Sequence, residues 1–274
     1  MDASSWDIHT ASEEFLIELC EKAEKESGLI GGYKGGDRVV RLPHNIAVKF
    51  GPGVMPSEAR TQEFAYKNTD PNIVHVPQVY RFFQKVDPLW HFRGYLFMRY
   101  VPGQPLQELD LSTNNDIISR MARIIAHLGQ IQNGQVPGPV GGGQPEGYIW
   151  GEVGARTSFT CVKDLEAWLN KRLALQNKSI DLSSHELVLC HLDLCRRNII
   201  LEEDNSICLL DWGFAGIYPR FFEITSLSCL NPYDAPYEKP LLQAATVLLS
   251  LTEEEKSSMA LLQIARAASL RYRL

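Results

Sequence analysis

His191-Leu192-Asp193-Leu194-Cys195-Arg196-Arg197-Asn198, followed thirteen residues later by Asp211-Trp212, is the stretch on which the reading of the chain turns. Three short apolar runs frame it, Leu187-Val188-Leu189-Cys190, Ile199-Ile200-Leu201 and Ile207-Cys208-Leu209-Leu210, each long enough for one strand. Glu203-Asp204-Asn205 supplies a turn between the second and the third. Asp193 then falls in the loop after the first strand, Asn198 where the second begins, and Asp211 at the end of the third. A hairpin of the last two strands sets Asn198 and Asp211 side by side, with Asp193 facing the same cavity. Two oxygen ligands with a carboxylate beside them suit Mg²⁺, a hard ion that keeps several waters and takes substrate phosphates as further ligands.

Upstream, residues 11–26 put Phe15, Leu16, Leu19 and Ala23 on one helical face with glutamates and lysines opposite. A glycine cluster, Gly28 and Gly31-Gly32-Tyr33-Lys34-Gly35-Gly36, cannot continue that helix. Next, Arg38-Val39-Val40-Arg41-Leu42 and Ile46-Ala47-Val48-Lys49-Phe50 flank Pro43-His44-Asn45, two β-branched runs about a short turn, which is a hairpin pattern. A helix starts at Ser57 and runs to about Asn68. Strand-like runs follow over 74–83, and 93–101 is a strand stopped by Pro102-Gly103. The remainder is mostly helical. Residues 115–132, from Asn115, carry Ile117, Ile118, Met121, Ile124, Ile125 and Leu128 at helical spacing; a glycine- and proline-rich loop spans 134–147; 165–175 is a second helix, and 241–274 holds two more. The expected class is α+β and bilobal: a β-rich N-lobe, residues 1–102, joined near Gly103 to a mainly helical C-lobe, residues 103–274, with a cleft between them.

The 274 residues are 45% hydrophobic and 22% charged, an ordinary globular composition with enough chain for one sizeable core or two small ones. A net charge of −6 argues against a nucleic-acid partner held through its phosphates. The six cysteines, Cys20, Cys161, Cys190, Cys195, Cys208 and Cys229, form no CxxC pair. Cys190 and Cys195 flank His191, but the second half of a zinc site is missing, so buried reduced thiols are expected. Met1 to Thr10 carries two aspartates and no basic cluster, which is unlike a signal peptide. The longest apolar stretch, 241–251, is too short to span a bilayer. A cytoplasmic chain is expected, with no membrane, nucleic-acid or obligatory protein partner.

The pattern His-x-Asp-x-x-x-x-Asn followed by a strand ending in Asp resembles the catalytic-loop signature of kinase-like phosphotransferases. Asp211-Trp212, where protein kinases carry Asp-Phe-Gly, resembles the aminoglycoside phosphotransferase and choline kinase-like family. The longer run Asp211-Trp212-Gly213-Phe214-Ala215-Gly216-Ile217-Tyr218-Pro219 is similar to its fungal members. The resemblance covers most of the chain and implies a bilobal protein-kinase-like fold. It also implies ATP-dependent transfer of the γ-phosphoryl group to a hydroxyl of a small-molecule acceptor. Ile46-Ala47-Val48-Lys49 resembles the strand whose lysine holds the α and β phosphates; Glu58, nine residues on, would be its ion-pair partner, with Glu63 as a competitor. Gly35 and Gly36 lie at the distance of a phosphate-covering loop, although the cluster does not fit GxGxxG. Met98, Arg99, Tyr100 and Val101 would bond adenine through their backbone. By the same resemblance Asp193 orients the acceptor hydroxyl and takes its proton, while Asn198 and Asp211 hold Mg²⁺. Arg196 stands where relatives often carry proline, and Arg99 where an acid is common.

Two other readings compete. A protein kinase would show a long activation segment ending in Ala-Pro-Glu after Asp211-Trp212, and none follows. A non-catalytic nucleotide-binding scaffold would keep the fold, yet here Lys49, Glu58, Asp193, Asn198 and Asp211 are all in place. His191 is expected to brace its loop rather than act as a base, Arg197 to contact substrate or an acid of the loop, and Glu202, Glu203 and Asp204 to form a solvated hairpin tip. The helical lobe offers the acceptor aromatic residues (Tyr148, Trp150, Phe159, Trp168, Tyr233, Tyr237), which could equally be core, and acids (Glu152, Asp164, Glu166, Glu223, Asp234), which could hold amines. An aminoglycoside, choline, a sugar or a secondary metabolite all fit that list.

Overall fold

A computed structural model of the chain describes residues 6–89, 91–114 and 116–272. Asn115, the expected start of a helix, lies outside them, as do residues 1–5 and 273–274 at the ends of the stretches read above. The first element, α1 (Glu13–Glu26), begins where Ser12 Oγ accepts the Phe15 amide at 3.2 Å, with Glu13 and Glu14 at the positive end of the helix dipole. Strands β1 (Gly31–Gly32), β2 (Arg38–Leu42) and β3 (Ile46–Gly51) follow, then α2 (Pro56–Asn68), β4 (Val79–Asp87) and β5 (His91–Arg99). The strands form one antiparallel sheet in the order β1-β2-β3-β5-β4. His44 and Asn45, with φ of 62° and 57°, turn β2 into β3, a conformation that Asn tolerates well.

Alternation along β3 decides where the site lies. Val48 and Phe50 point to α1 and join Leu16, Cys20, Val40 and Phe97 in a buried core. Lys49 faces the opposite side, where α2 lies and Val54, Ala59 and Leu96 make a smaller apolar contact. Rings of Phe50, Tyr95, Phe83 and Phe97 stack in sequence across the first core, with centroids 5.6, 5.2 and 5.7 Å apart.

After Gly103 the chain enters a mainly helical lobe. Its elements are β6 (Gln104–Pro105), α3 (Ile117–Leu128), α4 (Val162–Leu173), β7 (Leu187–Cys190), β8 (Ile199–Leu201), β9 (Ile207–Leu209), β10 (Gly216–Pro219), α5 (Phe221–Leu227), α6 (Ala235–Leu248) and α7 (Glu253–Arg271). Two small antiparallel sheets, β6-β8-β9 and β7-β10, sit among the helices. The apolar face of α3 (Met121, Ile124, Ile125, Leu128) packs with Leu189, Ile217 and Leu241; a second core gathers Trp150, Trp168, Tyr218, Phe221 and Phe222. The sequence reading began the helix before α7 near Leu241, but α6 starts at Ala235. Pro236 sits in its first turn, where no amide is needed, and Pro240 is carried inside the helix.

Glu202 is not part of a solvated tip. Its side chain is 9% exposed and clasped by Arg99 Nη2 at 2.8 Å and His75 Nδ1 at 2.5 Å. The His75 amide also donates to the Ile207 carbonyl at 2.8 Å, and the Leu209 amide to the His75 carbonyl at 3.0 Å. The segment before β4 and the end of β5 are thereby fastened to the β8–β9 hairpin, which fixes the two lobes around the groups described next.

Candidate active site

Lys49 Nζ donates to Glu58 Oε1 at 2.7 Å and to Asp211 Oδ1 at 2.8 Å. Glu63, the alternative partner, instead binds Lys67 on the outer face of α2 at 2.6 Å. Glu58 sits in the first turn of α2, pointing at the sheet, whereas Glu63 falls on the solvent side. Burial works against the lysine's charge, but the Asp211 and Glu58 carboxylates together hold the ammonium above the ordinary lysine range. Burial pushes Glu58 up to about 7 despite its partner. In Asp211 burial acts upward too, yet the Lys49 ammonium prevails and keeps the carboxyl below its ordinary value. Asp211 follows β9, its side chain 42% exposed and its backbone left-handed at φ 61°.

The loop after β7 brings the other groups in. Asn198 Nδ2 donates to Asp193 Oδ2 at 2.9 Å and to the Asp193 carbonyl at 3.1 Å. Arg197 Nη2 donates to the same Oδ2 at 3.1 Å and to the Tyr148 hydroxyl at 3.0 Å, and its Nη1 reaches the Asn231 carbonyl at 2.7 Å. Asp193 Oδ1 is buried and has no hydrogen-bond partner, the one carboxylate oxygen of the loop free to receive a proton. The carbonyl of Asn198 ends hydrogen-bonded to the Leu210 amide at 2.8 Å, which seats Asn198 next to the residue before Asp211.

His191 braces this loop. Burial drives its imidazole down to about 4, so the ring is neutral. Nε2 lies 2.9 Å from the Leu210 carbonyl and Nδ1 3.3 Å from the Asp193 amide, a pair satisfied by the tautomer protonated at Nε2. A second brace was missed in the sequence. Glu223, read above as an acid for the acceptor, is 3% exposed on α5, and its carboxylate accepts the His191 amide, the Leu192 amide at 3.1 Å and the Ser226 hydroxyl. Burial raises it to about 7. Nothing within a few residues of Glu223 hints at this, because the amides it holds are 31 and 32 positions upstream.

The other acceptor candidates sort in the same way. Trp150, Phe159, Trp168 and Tyr237 belong to the core. Asp164 accepts from the Thr160 amide at 2.8 Å, Glu166 from the Leu182 amide at 3.1 Å, and Asp234 pairs with Arg196 at 2.7 Å. Tyr148 is the aromatic residue tied to the loop, edge-on to Phe214 at 5.5 Å; Tyr233 and Glu152 are exposed. Five of the six free cysteines are buried as expected, and Cys161 is exposed.

Of the expected nucleotide contacts, Gly35 and Gly36 form the turn between β1, at the edge of the sheet, and β2, which pairs with β3. Met98 and Arg99 close β5 opposite Ala47 and Ile46. The Arg99 amide is already given to the Gln78 carbonyl at 2.9 Å and the Tyr100 amide to the Asn45 carbonyl at 2.7 Å. A base docked at this connection therefore has the Val101 amide as its donor and the carbonyls on either side as acceptors.

A sheet-and-helix lobe fastened to a helical lobe, with a lysine–glutamate pair on one side and a His-x-Asp loop on the other, defines a kinase-like enzyme. A model of the family described as "Phosphotransferase enzyme family" matches residues 30–260, and the chain belongs to that family. It is a small-molecule phosphotransferase, a kinase with an alcohol group as acceptor. Among solved structures it is similar to a thermostable mutant of aminoglycoside phosphotransferase APH(4)-Ia in ternary complex with ADP and hygromycin B. The TM-score is 0.55 at 16% identity, over 94% of this chain and 89% of that one. Spectinomycin phosphotransferase APH(9)-Ia, in complex with ADP and spectinomycin, gives 0.54 at 14% over 95% and 86%. Choline kinase LicA from Streptococcus pneumoniae gives 0.51 at 14% over 92% and 88%. These likenesses show the fold. No curated protein matches the sequence.

Proposed function

We propose that the enzyme transfers the γ-phosphoryl group of ATP to a hydroxyl of a small molecule that is aminoglycoside-like, choline-like or a secondary metabolite. The observation that carries this reading is the double engagement of Lys49 by Glu58 and Asp211, with 162 residues separating the lysine from Asp211. Residues 1–102 serve as the nucleotide lobe and 103–274 as the catalytic and substrate lobe. Lys49, held by Glu58, exchanges its contact with Asp211 for the α and β phosphates. Val101 and its neighbours take adenine, and Gly35 and Gly36 cover the phosphates. A cytoplasmic site of action is part of this proposal; among the described residues no helix is long and apolar enough to cross a membrane.

The donor atoms fit Mg²⁺. The amide nitrogen of Asn198 is committed to Asp193, which turns its side-chain oxygen into the available ligand, and Asp211 is kept ionised and partly open. Both are hard oxygen donors, too few for a closed protein cage and suited to an ion completed by phosphate and water. The ion would be held by Asn198 and Asp211 and would supply neutralisation of phosphate charge. Asp193, held at Oδ2 by Asn198 and Arg197, directs Oδ1 at the acceptor hydroxyl and takes its proton as the bond to phosphorus forms. His191 and Glu223 fix the loop that carries it. The distance from Asp211 to β10 is short, with no room for a protein kinase's activation segment, and this favours a small acceptor.

Calorimetric titration with Mg²⁺ and AMP-PNP, beside ATP consumption with pooled aminoglycosides, choline and sugars, tests the reading. Asp193→Ala is expected to lower transfer by about 10²–10⁴-fold with nucleotide affinity nearly intact. Loss of nucleotide affinity with normal transfer would refute the role.

A further inference from the structure

Residues 138–148 form a strap that the chemistry above leaves unused. At its start Gly138 exchanges both backbone hydrogen bonds with Ile217 of β10, at 3.0 and 2.8 Å. The strap then climbs to α2. There the Val140 amide donates to Thr61 Oγ1 at 3.0 Å, and Arg60 donates to the carbonyls of Val140 and Gly142, each at 3.4 Å. Gly141 allows the close approach: its φ is +76°, and a Cβ there would lie 2.4 Å from Arg60 Nε. Returning to the site, the strap passes so near Phe214 that a Cβ on Gly147 would meet its ring at 2.7 Å, and Tyr148 follows with its hydroxyl on Arg197. One continuous stretch thus touches the helix that carries Glu58, the turn after Asp211 and the arginine on Asp193.

Thr61 stands three residues after Glu58, one turn along the same face of α2, and is 0% exposed. Met55, its N-cap, makes no side-chain capping bond; besides the Glu58–Lys49 pair and the packing of Ala59 on Val54 and Leu96, Gln62 anchors this end of the helix, its amide donating to the Pro77 carbonyl at 2.8 Å. We propose that Thr61 is a positioning residue: by accepting the Val140 amide it sets the roll of α2, keeps Glu58 on Lys49 and so governs nucleotide affinity. The proposal rests on the reading that Lys49 holds the phosphates.

The test is the affinity of the full chain for Mg²⁺ and AMP-PNP, measured by calorimetry in T61V, T61S, E58Q, the T61V/E58Q double variant, R60M and K49M. Thr61→Val keeps the shape and removes the acceptor; it is expected to weaken binding about fivefold, the usual worth of one such hydrogen bond. Thr61→Ser restores most of the affinity. With Glu58 already replaced by Gln, Thr61→Val adds nothing, since its effect passes through Glu58. Arg60→Met, at an exposed position that leaves folding intact, gives a smaller loss in the same direction. Equal losses in both backgrounds, or wild-type affinity in T61V and R60M, overturn the proposal. Unchanged affinity in K49M overturns the underlying reading as well; a loss in K49M beside additive T61V and E58Q effects confines the failure to Thr61.

Discussion

In the loop at 191–198, His191, Asp193 and Asn198 are 0%, 4% and 6% exposed; Leu210 and Glu223 bind it from other parts of the chain, while Arg197 and Asn198 hold Asp193 from within. In the loop at 33–37, Tyr33, Lys34 and Gly35 are exposed, and the turn closes on itself through the Tyr33 amide to Asp37 at 3.1 Å and the Gly36 amide to Tyr33 at 3.2 Å. Among the described residues one longer link reaches out of it, from the Gly53 amide just past β3 to Asp37 Oδ1 at 2.9 Å. The first loop is specified by distant residues and tolerates little; the second is specified by its own backbone and tolerates much. On the proposed function, precision lies where the proton and the phosphoryl group would be handled, and compliance where a nucleotide would enter.

The contrast breaks most readily at Glu223. Glu223→Ala leaves two buried amides without an acceptor and is expected to cost about 3 kcal/mol or more in urea unfolding, with transfer falling alongside. A loss below about 1 kcal/mol would mean that the loop holds itself. The same carboxyl gives a pH signature. Its ordinary value near 4.5 rises to about 7 in the fold, so the folded state favours the protonated form. Stability from this group is therefore complete below about pH 4.5 and declines as pH climbs towards 7, by about 3 kcal/mol in total. Melting curves across that window should flatten in Glu223→Gln; an unchanged slope assigns it elsewhere. At the small end, Gly36→Ala places a Cβ 2.4 Å from the ring of Tyr33, a side chain 70% exposed that can swing away. Nucleotide affinity in that variant is expected within about threefold of wild type, an effect under about 1 kcal/mol. A collapse of affinity would show the second loop to be as tightly specified as the first.

The sequence made the local elements legible and the long-range ones much less so. The two β-branched runs about Pro43-His44-Asn45 marked the β2–β3 hairpin, and the apolar spacing of 117–128 marked α3, because one residue's environment there depends on neighbours a turn or a pleat away. Lys49, Glu58, Asp193, Asn198 and Asp211 could be picked out because their residue types and spacing resemble a family pattern; Lys49 meets Glu58 and Asp211, and Asn198 meets Asp193. Glu202, read as solvated, and Glu223, read as an acid for the acceptor, were misread for a common reason: their partners are far along the chain, 103 and 127 residues away for Glu202 and 31 and 32 for Glu223. Strand β10 escaped notice between Gly216 and Pro219, where propensity is poor and pairing with β7 supplies the structure. The 134–147 loop read as an interruption, since positive-φ glycines announce flexibility and give no hint that the backbone they free is pressed against α2.

Leu192 carries one more consequence. Its backbone sits at φ 63°, a region that costs a leucine about 1–2 kcal/mol, while its side chain is 2% exposed in the second core. The loop at 191–198 is thus a sprung conformation, kept cocked by a wedge of hydrocarbon on one side and by the carboxylate of α5 on the other. Softening that core with mild heat or denaturant releases the spring while the helices still stand, so enzymatic turnover is expected to fade ahead of the far-ultraviolet circular dichroism signal.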